Sequence, residues 1–218
     1  MSEYIVLGLG TFGRSLALEM QALGNEVIGV DINRATVQSL SGEIRQVIEA
    51  DATSEAALRD LGVSNLDGAV VAIHDPEPSI MATLLLKKAG VPYVVARASS
   101  PLHEEILKLT GANRVVFPEH ETAIRLAHEV AVPGVVDYLS ISSDMGINKL
   151  TVPRSLVGKT FREVNLENRF RVRIMATIRR DRVIFGTSVT DEFEAGDTLI
   201  VSGRDEDLRQ LAQLAERA

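Results

Sequence analysis

No cysteine occurs in the 218 residues. Its absence excludes a disulfide framework, a thiolate nucleophile and any cysteine-ligated metal, and it fits a reducing, cytosolic compartment. Apolar runs of the roughly twenty residues that a membrane-spanning helix needs are also missing. The strongest run, GAVVAI at 68–73, has the length of a strand. The opening MSEYIVLG carries neither a basic segment nor an apolar stretch of signal length, so a strand is expected there and not an export signal. Positive charge is in deficit, with 23 Lys and Arg against 30 Asp and Glu and a net charge of −7. A nucleic-acid partner is therefore not expected, because backbone binders present a basic surface. No GxSxG, HExxH or Walker lysine motif is found. His103, His120 and His128 form no pair at metal-ligand spacing and are expected in polar helical surroundings. His74 precedes a proline-rich turn.

What is present supports a packed core: 45% hydrophobic residues against 24% charged. Six strand-like runs recur early in the chain, at Tyr4–Leu7, Glu26–Val30, Gln46–Glu49, Gly68–Ile73, Tyr93–Ala96 and Arg114–Phe117. Most are apolar nearly throughout, the pattern of strands covered on both faces. Helices are predicted between them. Phe12, Leu16, Met20 and Leu23 mark the apolar stripe of the first, which Gly24 ends. Later helices are predicted at Arg34–Leu40, Ser54–Leu61, Ser79–Ala89, Pro101–Leu109 and His120–Val130, with Ser54 and Ser79 as N-caps and Gly62, Gly90 and Gly111 as stops. Alternating β and α units make right-handed crossovers, hence an α/β fold with a doubly wound parallel sheet of six strands.

The segment GLGTFG lies between the first strand and the first helix, the context a dinucleotide-type phosphate loop requires. Gly8 permits the tight turn, Gly10 the approach of a pyrophosphate and Gly13 close packing of helix on sheet. The free N–H groups of the helix N-terminus face the anion. Asp31 ends the second strand, where a carboxylate accepts from both ribose hydroxyls and repels a 2′-phosphate. The other strand ends open on the same crevice: Asp51 after the third, His74 and Asp75 after the fourth, Arg97 after the fifth and Glu119 after the sixth. Asp51 suits either an adenine edge or a helix N-cap. Arg14 suits either phosphate or a solvated or interface position.

Beyond the sixth helix the pattern changes. VPGVVDYLSISSDMGINKL begins as a linker and then alternates like exposed β structure. Thr160 and Glu163 have capping-box spacing. In Arg171–Arg179, Val172, Ile174, Ala176 and Ile178 alternate with Arg171, Arg173, Met175 and Thr177. Residues 180–182 turn the chain into Val183–Phe185, GDTLIVSG at 196–203 supplies another strand, and Leu208, Leu211 and Leu214 mark a final amphipathic helix. The expected division is a Rossmann-like domain at 1–135 followed by a small α+β domain at 136–218.

IVLGLGTFGRSLALEM, VIGVDIN, EADATSEAALRDLGV and TLLLKKAGVPYVVARA resemble the nucleotide-binding half of RCK (KTN) domains. PRSLVGKTFREVNLENRFRVRIMATIRR and EAGDTLIVSGRDEDLRQL resemble the C-terminal half, so the resemblance covers essentially the whole chain, and most closely the TrkA/KtrA-type cytosolic regulatory subunit of potassium uptake systems. It implies a homo-oligomer, a ring of dimers, octameric in number, docked on the cytosolic face of a membrane-embedded potassium transporter and gating it without catalysis. It implies adenine nucleotide in the crevice, ATP and ADP or NAD and NADH. Gly8, Gly10 and Gly13 would hold phosphate, Asp31 ribose, and Asp51, Ala52 and Thr53 adenine. Arg97 would face the phosphates, with Thr11, Phe12, Ile32 and Ile73 completing the set. Glu119 matches a position that joins Mg or Ca between subunits; the alternative is a plain helix N-terminal charge. The helix His120–Val130 matches the crossover segment between dimer mates, and Ile124, Leu126 and Val130 suit either that contact or their own core. Thr11 stands where Ktr-type members often have an arginine reaching the neighbour's terminal phosphate, so that route to ATP recognition does not transfer. Arg162, Arg169, Arg171, Arg173, Arg179, Arg180 and Arg182 suit either a cyclic di-AMP site, as in some relatives, or a solvated face. The alternatives are an NAD-dependent oxidoreductase, which needs an acid–base residue beside the nicotinamide, and an NADH-responsive redox sensor. A sensor that regulates transcription needs a basic helix-turn-helix as well.

Overall fold

The computed structural model describes residues 2–215. The chain divides into two compact units after Glu119. The boundary expected from sequence, at 135/136, lies further along, and the difference is one helix with its following turn.

The first unit alternates β1 (Glu3–Leu7), α1 (Thr11–Ala22), β2 (Glu26–Asp31), α2 (Arg34–Leu40), β3 (Gln46–Glu49), α3 (Glu55–Asp60), β4 (Gly68–Val71), α4 (Pro76–Lys88), β5 (Val94–Arg97), α5 (Pro101–Leu109) and β6 (Arg114–Val116). A further helix, α6 (Pro118–Ala131), begins here. The strands pair in parallel in the order β3-β2-β1-β4-β5-β6. Chain order reverses at β1, whose Leu7 pairs with Val30 on one side and Val71 on the other. The two-sided burial inferred from the apolar runs is present. Ile5 and Leu7 pack on one face with Val71, Val94 and Ala96, and Val6 packs on the other with Val27, Ala17 and Leu40.

The first and fourth helices differ from the sequence expectation. Leu23 is 72% exposed, since α1 stops at Ala22 and the stripe ends with Met20. Ser79 is not an N-cap. The fourth helix opens at Pro76, capped by the Asp75 position, and Ser79 is buried inside it. Proline's fixed φ and missing N–H suit a first helical residue, and that signal outweighs a serine one turn later. Ser54 does cap α3, accepting from the Ala57 N–H.

The second unit contains β7 (Val135–Ser140), β8 (Met145–Thr151), α7 (Phe161–Val164), α8 (Leu166–Phe170), β9 (Arg173–Arg179), β10 (Arg182–Phe185), β11 (Thr198–Arg204) and α9 (Asp205–Ala212). Its antiparallel sheet runs β10-β9-β11-β8-β7. Leu150, Leu199 and Val201 meet Leu208 and Leu211 of α9 and Phe170 and Phe193 in the core. The Thr160–Glu163 capping box is formed in both directions. Arg180 and Asp181 make the two-residue β9–β10 turn with φ of 48° and 63°. Later turns of α6 pack here, with His128 stacked on Tyr138 at 3.7 Å between ring centroids and Arg125 paired to Asp137.

The regular alternation expected along β9 does not hold. Ile200 pairs with Ala176 while Val201 pairs with Ile174, so Met175 is an extra residue in a bulge. One inserted residue flips everything beyond it to the other face. Thr177 therefore lies opposite Leu199 and is fully buried.

Candidate functional site

The carboxyl ends of β1 to β5 surround a cavity of about 440 Å³ at the switch point between β1 and β4. That is where open parallel sheets bind ligands, because the crossovers leave to opposite sides and open a cleft. The floor comes from Gly8 and Gly10, Asp31 and Ile32 lie at the end of β2, and Asp51, Ala52 and Thr53 lie beyond β3. Ile73, His74 and Asp75 follow β4, and Arg97 ends β5.

Two of the three glycines are demanded by the protein itself. Gly8 has φ +92° and places its Cα against the Ile73 backbone, where an added Cβ would lie 3.1 Å from the Ile73 nitrogen. A Cβ on Gly13 would collide with the Gly8 carbonyl oxygen. Gly10 differs. Its φ is −62°, open to any residue, and among the described residues an added Cβ would meet nothing within 4 Å beyond its own chain neighbours.

Asp31 is fixed by the backbone around it. One carboxylate oxygen accepts from the Leu9 N–H at 2.7 Å and the other from the Asn33 N–H at 2.8 Å. Each oxygen keeps a further lone pair for an outside donor. The bond to Leu9 also ties β2 to the glycine loop, a role that the spacing of the motif did not indicate. Asp51 accepts from the Thr53 N–H and hydroxyl at 2.8 and 2.7 Å, and these bonds hold its carboxyl below the ordinary aspartate value. It is not an N-cap; Ser54 fills that position.

Arg97 is the cation of the lining, with a side chain 13% exposed. Its guanidinium pairs with Glu119 of α6, contacts His74 Nδ1 at 3.4 Å and lies 5.7 Å from the centroid of the Phe12 ring. Burial presses the Glu119 carboxyl upward, but its own backbone amide and Arg97 prevail and keep it below the ordinary glutamate value. Among the described residues no three His, Asp or Glu side chains gather as a metal site. Glu119 thus brings one carboxylate, already engaged, to any cation.

Other expected positions fall outside the cavity wall. Thr11 is exposed at the start of α1, Phe12 packs beside the core under Arg97, and Gly13 is buried behind the loop. Arg14 also lies outside the cavity wall and pairs with Glu43 at 2.8 Å on the surface. His103 is corrected from a polar setting to a buried one: Nδ1 accepts from the Ser99 N–H at 3.2 Å, and burial, then the charge of His74, pushes its pKa down. Ile124, Leu126 and Val130 are 37%, 54% and 79% exposed and join no core cluster among the described residues.

In the second unit a separate cavity of about 410 Å³ has Arg162, Asn165, Glu167 and Arg173 in its wall. Four of the seven arginines have acidic partners in this unit, Arg180 reaching Glu194 at 3.8 Å. Arg171 pairs with Asp207, Arg173 with Glu167, and Arg179 with Glu194 and Asp197. Except for Glu167, those acids lie outside the 160–182 span, so local sequence overstated the positive field.

Residues 4–118 match the TrkA-N domain and residues 149–215 the TrkA-C domain. The chain belongs to the TrkA family. This TrkA-family chain is 32% identical over 202 residues to the Ktr system potassium uptake protein C of Bacillus subtilis, covering 92% of this chain and 91% of that protein. It is 31% identical to the Ktr system potassium uptake protein A of Vibrio alginolyticus, covering 92% of each. The GsuK RCK domain superposes with a TM-score of 0.70 at 20% identity, covering 98% of this chain and 47% of that one, so the TrkA-family chain spans about half of it and shares its fold. The NAD(P)-binding domain of an exopolyphosphatase-related protein from Archaeoglobus fulgidus matches at a TM-score of 0.54 and 26% identity, covering 60% of this chain and 98% of that one.

Proposed function

We propose that this chain is a non-catalytic regulatory subunit of a Ktr/Trk-type potassium uptake system. It binds an adenine nucleotide, ATP and ADP or NAD and NADH, in the crevice of the first unit. It passes the difference between bound forms to a membrane-embedded potassium-translocating partner. Gly10 carries the reading. Neither backbone strain nor packing asks for glycine there, whereas a pyrophosphate lying on the loop does. Asp31 then takes the ribose hydroxyls, Asp51, Ala52 and Thr53 lie along the adenine, and Arg97 meets the phosphates. The Ktr relatives supply the transport side of the proposal, and a GsuK channel of the same fold has been solved bound to NAD.

Among the described residues no helix is long and apolar enough to cross a membrane. Translocation then belongs to a partner, with this chain assembled as a ring of dimers on its cytosolic face. A ligand moves that assembly only by its difference in affinity for two states, so the informative comparison is between nucleotides. Thr11 offers no cation to a neighbour's terminal phosphate, and a weak preference between ATP and ADP is expected. Calorimetric titration with ADP, ATP, NAD and NADH, with and without magnesium, tests the reading. Adenine mononucleotides binding at least as tightly as the dinucleotides support it. Binding of NAD and NADH alone would bring back the redox readings, and binding of none of the four would overturn the proposal.

A further inference from the structure

The nucleotide reading leaves Arg97 already occupied. The crevice wall carries Asp31, Asp51 and Asp75 against this one guanidinium, and Glu119 holds it by a single carboxylate oxygen. While that pair stands, the positive charge a phosphate would seek is cancelled. The pair is also incomplete. Arg97 Nη2 serves both Glu119 and His74, while its buried Nε–H has no partner among the described residues. A guanidinium fork is best satisfied by two parallel bonds to one oxyanion.

We propose that Arg97 is an exchange latch, held by Glu119 in the nucleotide-free protein and surrendered to a nucleoside diphosphate on binding. The proposal rests on the nucleotide reading of the crevice and adds its regulation. A phosphate offers the fork a bidentate partner and takes up the Nε–H. Its charge then repels a Glu119 still at the same guanidinium. Glu119 leaves readily, because its side chain is 53% exposed and it remains at the N-terminus of α6, where the helix dipole favours an anion. The exchange therefore alters the first turn of α6, whose later turns are fastened in the second unit by the His128–Tyr138 stack and the Arg125–Asp137 pair. Occupancy of the crevice is in this way converted into a change at the start of the connecting helix.

The test is calorimetry on the full chain in EDTA with ADP and with adenosine as probes. Glu119→Gln, which removes the competing charge, is expected to bind ADP about tenfold tighter and adenosine unchanged, the size of one charge-assisted hydrogen bond. Arg97→Gln is expected to weaken ADP and to erase the effect of Glu119→Gln in the double variant. An ADP affinity unchanged or weakened by Glu119→Gln overturns the latch while leaving the nucleotide reading intact. A wild-type chain that binds neither probe overturns both. Hydrogen exchange gives a readout independent of the arginine variant's folding: the backbone amides of residues 121–125, the first that α6 itself can protect, should exchange faster once ADP is added to the wild type, and unaltered protection overturns the coupling to α6.

Discussion

Gly10 and Gly13 look alike in the sequence and differ in what holds them. Adding a methyl group at Gly13 drives it into the Gly8 carbonyl oxygen, and overpacking of that kind costs about 1–3 kcal/mol. Gly13→Ala should therefore lower the urea midpoint clearly. Gly10→Ala should leave stability within about 0.5 kcal/mol while lowering nucleotide affinity by about tenfold or more. Paired denaturation and titration curves for the two variants check both statements. Asp31 combines these roles. Asp31→Asn keeps one carbonyl oxygen where two backbone N–H groups now find acceptors. The expected result is a loss of about 1 kcal/mol in stability together with weakened binding of every ribose-bearing ligand. A fully stable variant that has lost binding would assign Asp31 to the ligand alone.

At the scale of the element, β9 shows how one residue redirects a strand. The bulge at Met175 turns Thr177 into the core with a hydroxyl that finds no partner among the described residues. A buried unsatisfied hydroxyl is a cost, and valine has the same shape without it. Thr177→Val should raise stability by about 1 kcal/mol, seen as a higher melting temperature of the second unit. A decrease would mean that the hydroxyl has a partner in solution. Arg179 and Asp197 make the opposite case. Asp197 is 1% exposed, and both its oxygens accept from Arg179, at 2.8 and 2.7 Å, with the Glu194 N–H also donating to it. Burial pushes its pKa up, but Arg179 and the Glu194 N–H outweigh burial and leave it below the ordinary aspartate value. A carboxyl depressed in the folded state contributes stability above its unfolded pKa and loses it as pH falls through the folded one. The second unit should thus weaken below the ordinary aspartate range. Asp197→Asn should be destabilised at neutral pH and show a flatter acid limb in urea melts.

For the whole molecule, two compact units with separate cores predict unfolding that is not two-state. A nucleotide that binds only the crevice stabilises only the unit that forms it. At a hundredfold excess over its dissociation constant the gain is about 2.7 kcal/mol. Calorimetric scans with ADP should then move one transition and leave the other in place; a common shift of both would mean that the units unfold together. Light scattering should show an assembly of many chains, and a monomer at micromolar concentration would oppose the ring.

The alternation of apolar runs with helical stripes determined by itself that six strands lie in one parallel sheet, because burial on both faces leaves a periodic mark in the chain. Arg34–Leu40 and Pro101–Leu109 are helices at those bounds, and GLGTFG with Asp31 located the crevice, since a loop's conformation and a strand's end are local properties. Partnership is not local. That Arg97 meets Glu119, that Asp31 braces Leu9, and that the arginines of 171–179 find acids as distant as Asp207 depended on which strands became neighbours. The same holds for Thr177, whose face was set by a bulge that only pairing with β11 reveals. His103 was misplaced for the same reason: Glu104 and Glu105 follow it and give it a polar look, and only the packing of α5 buries it. Patterns of burial repeat with the period of the backbone and can be counted along the chain. Pairings across many residues are made by the fold, and only the tertiary structure decides them.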